Sequence, residues 1–135
     1  MKTTVEDIWK IASAMGGRLI NKITISDIED LEWEQDVDLD DLDNRPGVYM
    51  LINKRKEKLE YVGVSINVRR RIKNNHHIYN HELHSIHFIE IECEKYRLAL
   101  ERVIINNWHP PENKKVGNTG GSDGLYSRNR MRMPA

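Results

Sequence analysis

The chain has 135 residues, enough for one domain and an additional element of roughly thirty to forty residues. Its composition, 39% hydrophobic and 31% charged, excludes wholesale disorder, and no apolar run approaches the roughly 18 residues that a membrane-spanning helix needs. A single cysteine, Cys93, excludes an internal disulfide and a thiolate zinc finger. Since the first residues also lack the apolar stretch of a signal peptide, we expect a cytoplasmic protein with no membrane partner.

The net charge of zero hides a division of the chain into two oppositely charged segments. Residues 1–43 hold four basic and twelve acidic residues, a net charge of −8, and residues 44–135 hold seventeen basic and nine acidic residues, a net charge of +8. A basic segment is what binding to a phosphate backbone requires. A solvated basic surface explains the same charge, so charge alone does not decide between them.

A first helix is predicted close to the N-terminus. Thr3 or Thr4 is suited to the N-cap position, and Glu6 and Asp7 are placed to complete a capping box. Hydrophobic residues then recur at helical spacing until two glycines at residues 16–17, which predict the end of the helix.

An acidic arm is predicted to follow. Ser26 and Glu29 form a second capping-box pattern, and residues 27–43 contain ten acids, no basic residue and six interleaved hydrophobic residues. The hydrophobic residues predict a short helix and then an arm that lies on apolar surface. The arm either competes with nucleic acid for the basic part of the chain or completes the core with its acids facing water.

The basic segment begins with a predicted β-hairpin. Residues 44–47 (Asn-Arg-Pro-Gly) form a turn pattern that marks a domain boundary. Two strand-like runs follow, residues 48–52 and 59–64, joined by a polar connection.

A helix, a strand and a second helix complete the predicted domain. Ser65 or Asn67 is suited to cap a basic helix that extends to about residue 75, residues 86–91 predict a third strand, and residues 94–108 predict the strongest helix, ended by two prolines.

These elements predict a small α+β protein, with a three-stranded antiparallel sheet flanked by helices. We predict a helical and acidic extension over residues 1–43, a domain over residues 44–116, and a flexible basic tail over residues 117–135.

Five groups of residues, in this order of elements, resemble the GIY-YIG nuclease family. The two tripeptides of that family stand here as Gly47-Val48-Tyr49 and Tyr61-Val62-Gly63, each with valine in place of isoleucine. The family's arginine matches Arg71, its metal-binding glutamate matches Glu101, and its asparagine matches Asn113. The resemblance covers about residues 46–115.

The resemblance implies a metal-dependent endonuclease that hydrolyses phosphodiester bonds in DNA. The implied metal is Mg²⁺ or Mn²⁺, held by Glu101, a hard oxygen ligand. A homo-oligomer, the N-terminal helices and the structure of the substrate are left open as sources of specificity. The implied catalytic residues are Tyr49, Tyr61, Arg71, His76, Glu101 and Asn113. The predicted nucleic-acid-binding residues are Lys54, Arg69, Arg70, Lys73, Lys114 and Lys115.

Each site residue also has an ordinary structural explanation. The tyrosines can be strand aromatics, the arginine run a solvated helix face, Glu101 a partner of Arg97, and Asn113 a turn cap. Two other functions also stay open: a non-catalytic nucleic-acid-binding module, and an interaction protein of a phage or mobile element that acts through its acidic arm.

The histidines suggest a metal site by spacing alone. His77, His81, His84 and His87 are four, three and three residues apart. We do not predict a zinc site, because two of them fall in an irregular loop and His87 begins a strand.

Overall fold

The computed structural model describes residues 3–14, 23–74 and 78–113. The predicted α+β class, with a three-stranded antiparallel sheet and helices, is confirmed. Within the described residues, no helix is long and apolar enough to cross a bilayer. The predicted helix stop at residues 16–17 and the predicted tail at 117–135 lie outside the described residues. The elements are helix α1 (Val5–Ser13), helix α2 (Ile25–Glu29), a 3₁₀ turn (Leu39–Leu42), strands β1 (Gly47–Asn53) and β2 (Lys58–Ser65), helix α3 (Val68–Asn74), strand β3 (His84–Glu90) and helix α4 (Glu94–Trp108).

Strand β1 is the centre of the sheet and pairs antiparallel with β2 on one side and β3 on the other. Tyr49 lies opposite Gly63, and Leu51 lies opposite Tyr61. The register then shifts by one residue, which leaves Glu60 as the extra residue of a β-bulge. The predicted hairpin is therefore present, with a bulge that residue alternation did not reveal.

The two faces of the sheet bury separate cores, because successive side chains of a strand point to opposite faces. Val48 and Met50 of β1 face α1 and α4, whereas Tyr49 and Leu51 face α3 and the 3₁₀ turn. The first core comprises Ile8, Ala12, Ile23, Ile28, Leu31, Val48, Met50, Val62, Ile89, Ile91, Leu100, Val103, Ile104 and Ile105. The second core comprises Leu42, Tyr49, Leu51, Tyr61, Val68, Ile72, Ile78, Ile86 and Phe88.

The acidic arm contributes to both cores. Ile28 and Leu31 are buried in the first core, and Leu42 is fully buried in the second. Between them, Glu34 forms a β-bridge with Phe88, and the backbone N–H of Val37 donates to Ile86, so the arm covers the outer edge of β3. This packing matches the alternative in which the hydrophobic residues of the arm complete the core.

Arg45 fastens the arm to the sheet. Its guanidinium donates to Glu34 at 2.5 Å and to Glu90 at 2.8 Å, and it lies 4.8 Å from the ring centre of Phe88. Hydrogen bonds with these two carboxylates raise the pKa of Arg45 above its usual value. The carboxylates of two separate segments are thus held by one side chain.

The helix starts were predicted with one error. Thr4 caps α1 and forms a reciprocal capping box with Asp7, as one of the two predicted registers requires. The cap of α2 is wrong in the prediction: Thr24 and Asp27 form the capping box, not Ser26 and Glu29. The earlier start is the one that buries Ile28 in the first core.

Candidate functional site

The two tripeptides meet across the β1–β2 hairpin. Tyr49 lies opposite Gly63, and a β-carbon added at Gly63 would lie 2.5 Å from the ring Cζ and the hydroxyl oxygen of Tyr49. Such a separation is far shorter than any real contact, so a larger residue at this position would displace the ring. The glycine of the second tripeptide therefore leaves the space that the tyrosine ring of the first tripeptide occupies.

Steric space also explains the glycine at position 47. A β-carbon there would collide with the backbone oxygen of Ile89 and would lie 2.6 Å from a ring carbon of Phe88. The close approach of β1 and β3 at this point thus depends on the missing side chain.

Tyr49 and Tyr61 form an aromatic pair on the second-core face of the sheet. Their ring centres are 5.9 Å apart and their planes are inclined at 43°, a favourable tilted arrangement. Tyr49 is 0% exposed and Tyr61 is 3% exposed, so a ligand in solution meets their neighbours first.

Arg71 is the neighbour through which this pair reaches the surface. It belongs to α3, its side chain is exposed, and it lies close enough to Tyr61 and Tyr49 for both phenol groups to affect its pKa. Partial burial lowers the pKa of Arg71, but the two phenol groups outweigh it, and the net pKa lies above its usual value. The structure therefore brings three of the predicted catalytic residues together: Tyr49, Tyr61 and Arg71.

The adjacent arginines of α3 point elsewhere. The Nε of Arg69 donates to Asp40 of the 3₁₀ turn at 3.2 Å, and Arg70 and Lys73 are exposed. Successive helix residues are turned by roughly 100°, so only one of three consecutive arginines can face the tyrosines. Asn67 caps this helix, because its side-chain oxygen accepts from the backbone N–H of Arg70 at 3.2 Å.

Asn113 binds the outer edge of β2. Its side-chain oxygen accepts from the backbone N–H of Val62, and its amide donates to the backbone oxygen of Val62, both at 2.8 Å. The side chain is 1% exposed, and it pairs with the strand much as another strand would. Asn113 therefore ties the segment after α4 to the residue that follows Tyr61.

Glu101 is buried on α4, the helix that packs against β2 and β1 from the first-core face. Arg97, one turn earlier, is also buried, and its guanidinium donates to the backbone oxygens of Ile91 at 3.0 Å and Glu92 at 2.7 Å. A single buried carboxylate is a donor set that suits Mg²⁺, which usually keeps water and substrate oxygens as its other ligands. In the described parts of the chain, no group of three or more His, Cys, Asp or Glu residues is arranged to hold a metal.

The three histidines of this pattern that the structure describes do not converge, and His77 lies outside the described residues. His84 belongs with Ile86 and Phe88 on the second-core face of β3, whereas His87 lies on the other face, beside Met50. His81 is exposed in the loop before the strand.

A buried polar cluster of Asn53, Glu60 and His84 was not predicted. The Nε2 of His84 lies 2.7 Å from Glu60, its Nδ1 accepts from the backbone N–H of Asn80 at 3.0 Å, and Asn53 donates to the other oxygen of Glu60 at 3.1 Å. Partial burial raises the pKa of Glu60, but the hydrogen bonds from His84 and Asn53 outweigh it and lower the net pKa. Only the bulge at Glu60 brings this carboxylate next to His84, and a bulge has no clear sequence pattern.

The remaining predicted residues lie at the periphery or outside the described residues. Lys54 is exposed in the β1–β2 turn, beyond the polar cluster. His76, Lys114 and Lys115 lie outside the residues that the structure describes.

No protein-family model matches this chain, and no curated protein matches it. The functional argument therefore depends on the geometry of the site and on the residues that form it.

Proposed function

We propose that this protein is a metal-dependent endonuclease of the GIY-YIG type that hydrolyses phosphodiester bonds in DNA. The observation that carries the proposal is the cluster of Tyr49, Tyr61 and Arg71. Gly63 has no β-carbon, which leaves room for the ring of Tyr49. A core that needed only apolar contacts has no use for two phenols directed at one arginine. The proposed residues are few, and each has a separable task.

Arg71 binds the scissile phosphate in this proposal. A guanidinium offers a planar fork of N–H donors that matches phosphate oxygens, and its charge offsets the negative charge that develops in the transition state. In this proposal Tyr61 and Tyr49 lie beside the guanidinium, and its exposed part is left to the substrate.

Glu101 would hold the divalent metal, which supplies positive charge to the leaving oxygen when it is bound. Asn113 keeps the end of α4 against β2, the strand that carries Tyr61. The exposed Arg70 and Lys73 of α3, and Lys54 of the hairpin turn, add positive charge for the phosphate backbone.

A nicking assay tests the proposal. Supercoiled plasmid, a single-stranded circle and RNA are each incubated with the protein in Mg²⁺ and in excess chelator. We expect cleavage of DNA in Mg²⁺ alone, and its loss in Glu101→Gln, which keeps the volume of the buried side chain. Glu92→Gln, an exposed change of the same kind, is the matched control and should cut normally.

The same assay separates the non-catalytic alternative. Binding of DNA with no cleavage under any metal condition would indicate a nucleic-acid-binding module on this fold and would end the nuclease proposal. Full activity of Glu101→Gln would remove the metal role of that residue.

A further inference from the structure

A second site is suggested by a cavity of about 270 Å³ on the first-core face of the sheet. Met50 and Ile52 of β1 form part of its lining, and these side chains point away from Tyr49 and Leu51 on the other face. Neither the tyrosine pair nor Arg71 lines it, so the cavity is separate from the candidate nuclease site.

Two tryptophans line this cavity, Trp33 of the arm and Trp108 at the end of α4. The Nε1–H of Trp33 donates to the backbone oxygen of Ile28 at 2.8 Å, so its hydrogen-bond donor is already used within the protein. What the side chain offers to a ligand is the face or edge of the indole ring. Trp108 is half-buried and packs against the first core.

The charged residues that line the cavity, among those that the structure describes, are two acids. Glu29 stands at the end of α2 and Glu57 in the β1–β2 turn, and both are exposed carboxylates. Among the described residues, no lysine or arginine lines the cavity, although basic residues flank Glu57 in the turn. His87 is half-buried there, and burial lowers its pKa, against a smaller opposing effect of Asp36, so the ring adds no positive charge at neutral pH.

We infer that this cavity binds a small organic ammonium ion, with Trp33 and Trp108 against its alkyl groups and Glu29 and Glu57 as the counter-charge. Indole is the side chain that attracts cations most strongly through its ring, and each carboxylate can pair locally with the ammonium group. The volume lies slightly below the range of about 300–1,000 Å³ that holds drug-sized ligands, so the ligand is small.

Choline and its uncharged carbon isostere, in which carbon replaces the nitrogen, test the inference because they share size and shape. The full chain is titrated with each compound while the indole N–H signals of its three tryptophans are followed by NMR. We expect choline to shift the signals of Trp33 and Trp108 in a saturable way, and to leave that of Trp9 in place. Trp9 lies on α1 beside Tyr96 and Lys95, outside this cavity. The isostere should bind about tenfold more weakly, since it lacks the charge.

The double variant Glu29→Gln/Glu57→Gln should weaken choline binding by at least about tenfold and leave isostere binding unchanged. Both carboxylates are exposed, so the variant keeps the core. Glu92→Gln, which removes a carboxylate outside the cavity, is the control and should bind choline like the wild type. Equal binding of choline and the isostere would show an apolar cavity without cation selectivity and would overturn the inference. The absence of a saturable shift with choline would overturn it as well. Neither result depends on nuclease activity, so this inference and the proposed function fail or stand separately.

Discussion

At the scale of single residues, the contact between Gly63 and Tyr49 explains why the two tripeptides occur together. The ring of Tyr49 occupies the place of the missing β-carbon, and the same ring belongs to the pair that holds Arg71. One glycine therefore sets the position of a phenol, and the phenol supports a guanidinium.

Gly63→Ala should destabilise the fold by about 1–3 kcal/mol, because the new methyl group overpacks a fully buried ring. In a strand without such a contact, alanine stabilises the fold relative to glycine, so a net loss of stability would report the steric clash. Denaturant unfolding measures the change. Tyr49→Leu added to Gly63→Ala should recover part of the loss, and a double variant that shows only additive losses would contradict the proposed contact.

At the scale of elements, the sequence predicted the limits that hydrophobic periodicity and turn-forming residues determine. The limits of α4 agree residue for residue with the prediction. Its run of hydrophobic residues begins after Cys93, which makes no side-chain cap, and ends before two prolines. The strands agree within one or two residues at each end. Thr24 and Ser26 both precede acids by three residues, so the start of α2 was decided by burial of Ile28 and not by the pattern.

The candidate site was predictable only in part. Tyr49, Tyr61 and Arg71 were named from a family resemblance, and the sheet register that joins them depends on a bulge at Glu60. The cluster of Asn53, Glu60 and His84 had no sequence pattern, because Glu60 joins the paired Asn53 and His84 only through the same register shift. The resemblance named Asn113 as a catalytic residue, but its pairing with the edge of β2 follows from tertiary packing alone.

The polar cluster of Asn53, Glu60 and His84 predicts a specific dependence of the free energy of unfolding on pH. The folded protein holds the pKa of Glu60 below its ordinary value of 4.5, so its carboxylate contributes stability that is fully present above that pH. This contribution is lost as the pH falls through the lowered pKa of the folded state. Glu60→Gln should therefore cost about 1–3 kcal/mol at neutral pH, and the difference from the wild type should shrink in acid.

Unfolding midpoints in urea from neutral pH down into the acid range measure this difference. Glu82→Gln, at an exposed carboxylate in the loop before β3, is the control and should be neutral throughout. A difference between wild type and Glu60→Gln that is constant with pH would mean that the charge of Glu60 has no part in the cluster.

At the scale of the whole molecule, the acidic and basic segments of the chain are held together because both contribute to the same two cores. Removal of residues 1–43 would expose the surfaces that Ile28, Leu31 and Leu42 cover, at about 2–5 kcal/mol for each buried side chain. That sum is comparable to the whole stability of a small domain. We expect the truncated chain to precipitate or unfold, which solubility and circular dichroism would reveal. A truncated chain that is soluble and folded would contradict the account of the arm.

The acids of the arm can be tested without loss of its core. Asp40→Asn releases Arg69 from its partner and leaves the buried residues in place. If the arm restrains nucleic-acid binding, this variant should bind DNA more tightly at low salt, with a smaller gain as salt screens the charges. Unchanged affinity at low salt would show that the contact between Asp40 and Arg69 only fastens the 3₁₀ turn to α3.

The central claim is that Arg71, which lies beside two phenols, contacts the phosphate that is cleaved. The most direct measurement compares rates of Mg²⁺-dependent nicking of supercoiled plasmid for Arg71→Ala and Arg70→Ala. The two variants remove the same charge from adjacent positions of α3, but only Arg71 faces Tyr61 and Tyr49. We predict a loss of roughly a hundredfold or more for Arg71→Ala and a small loss for Arg70→Ala that disappears as salt is raised. Equal losses in the two folded variants would contradict the claim, because they would show that α3 acts only as a basic surface.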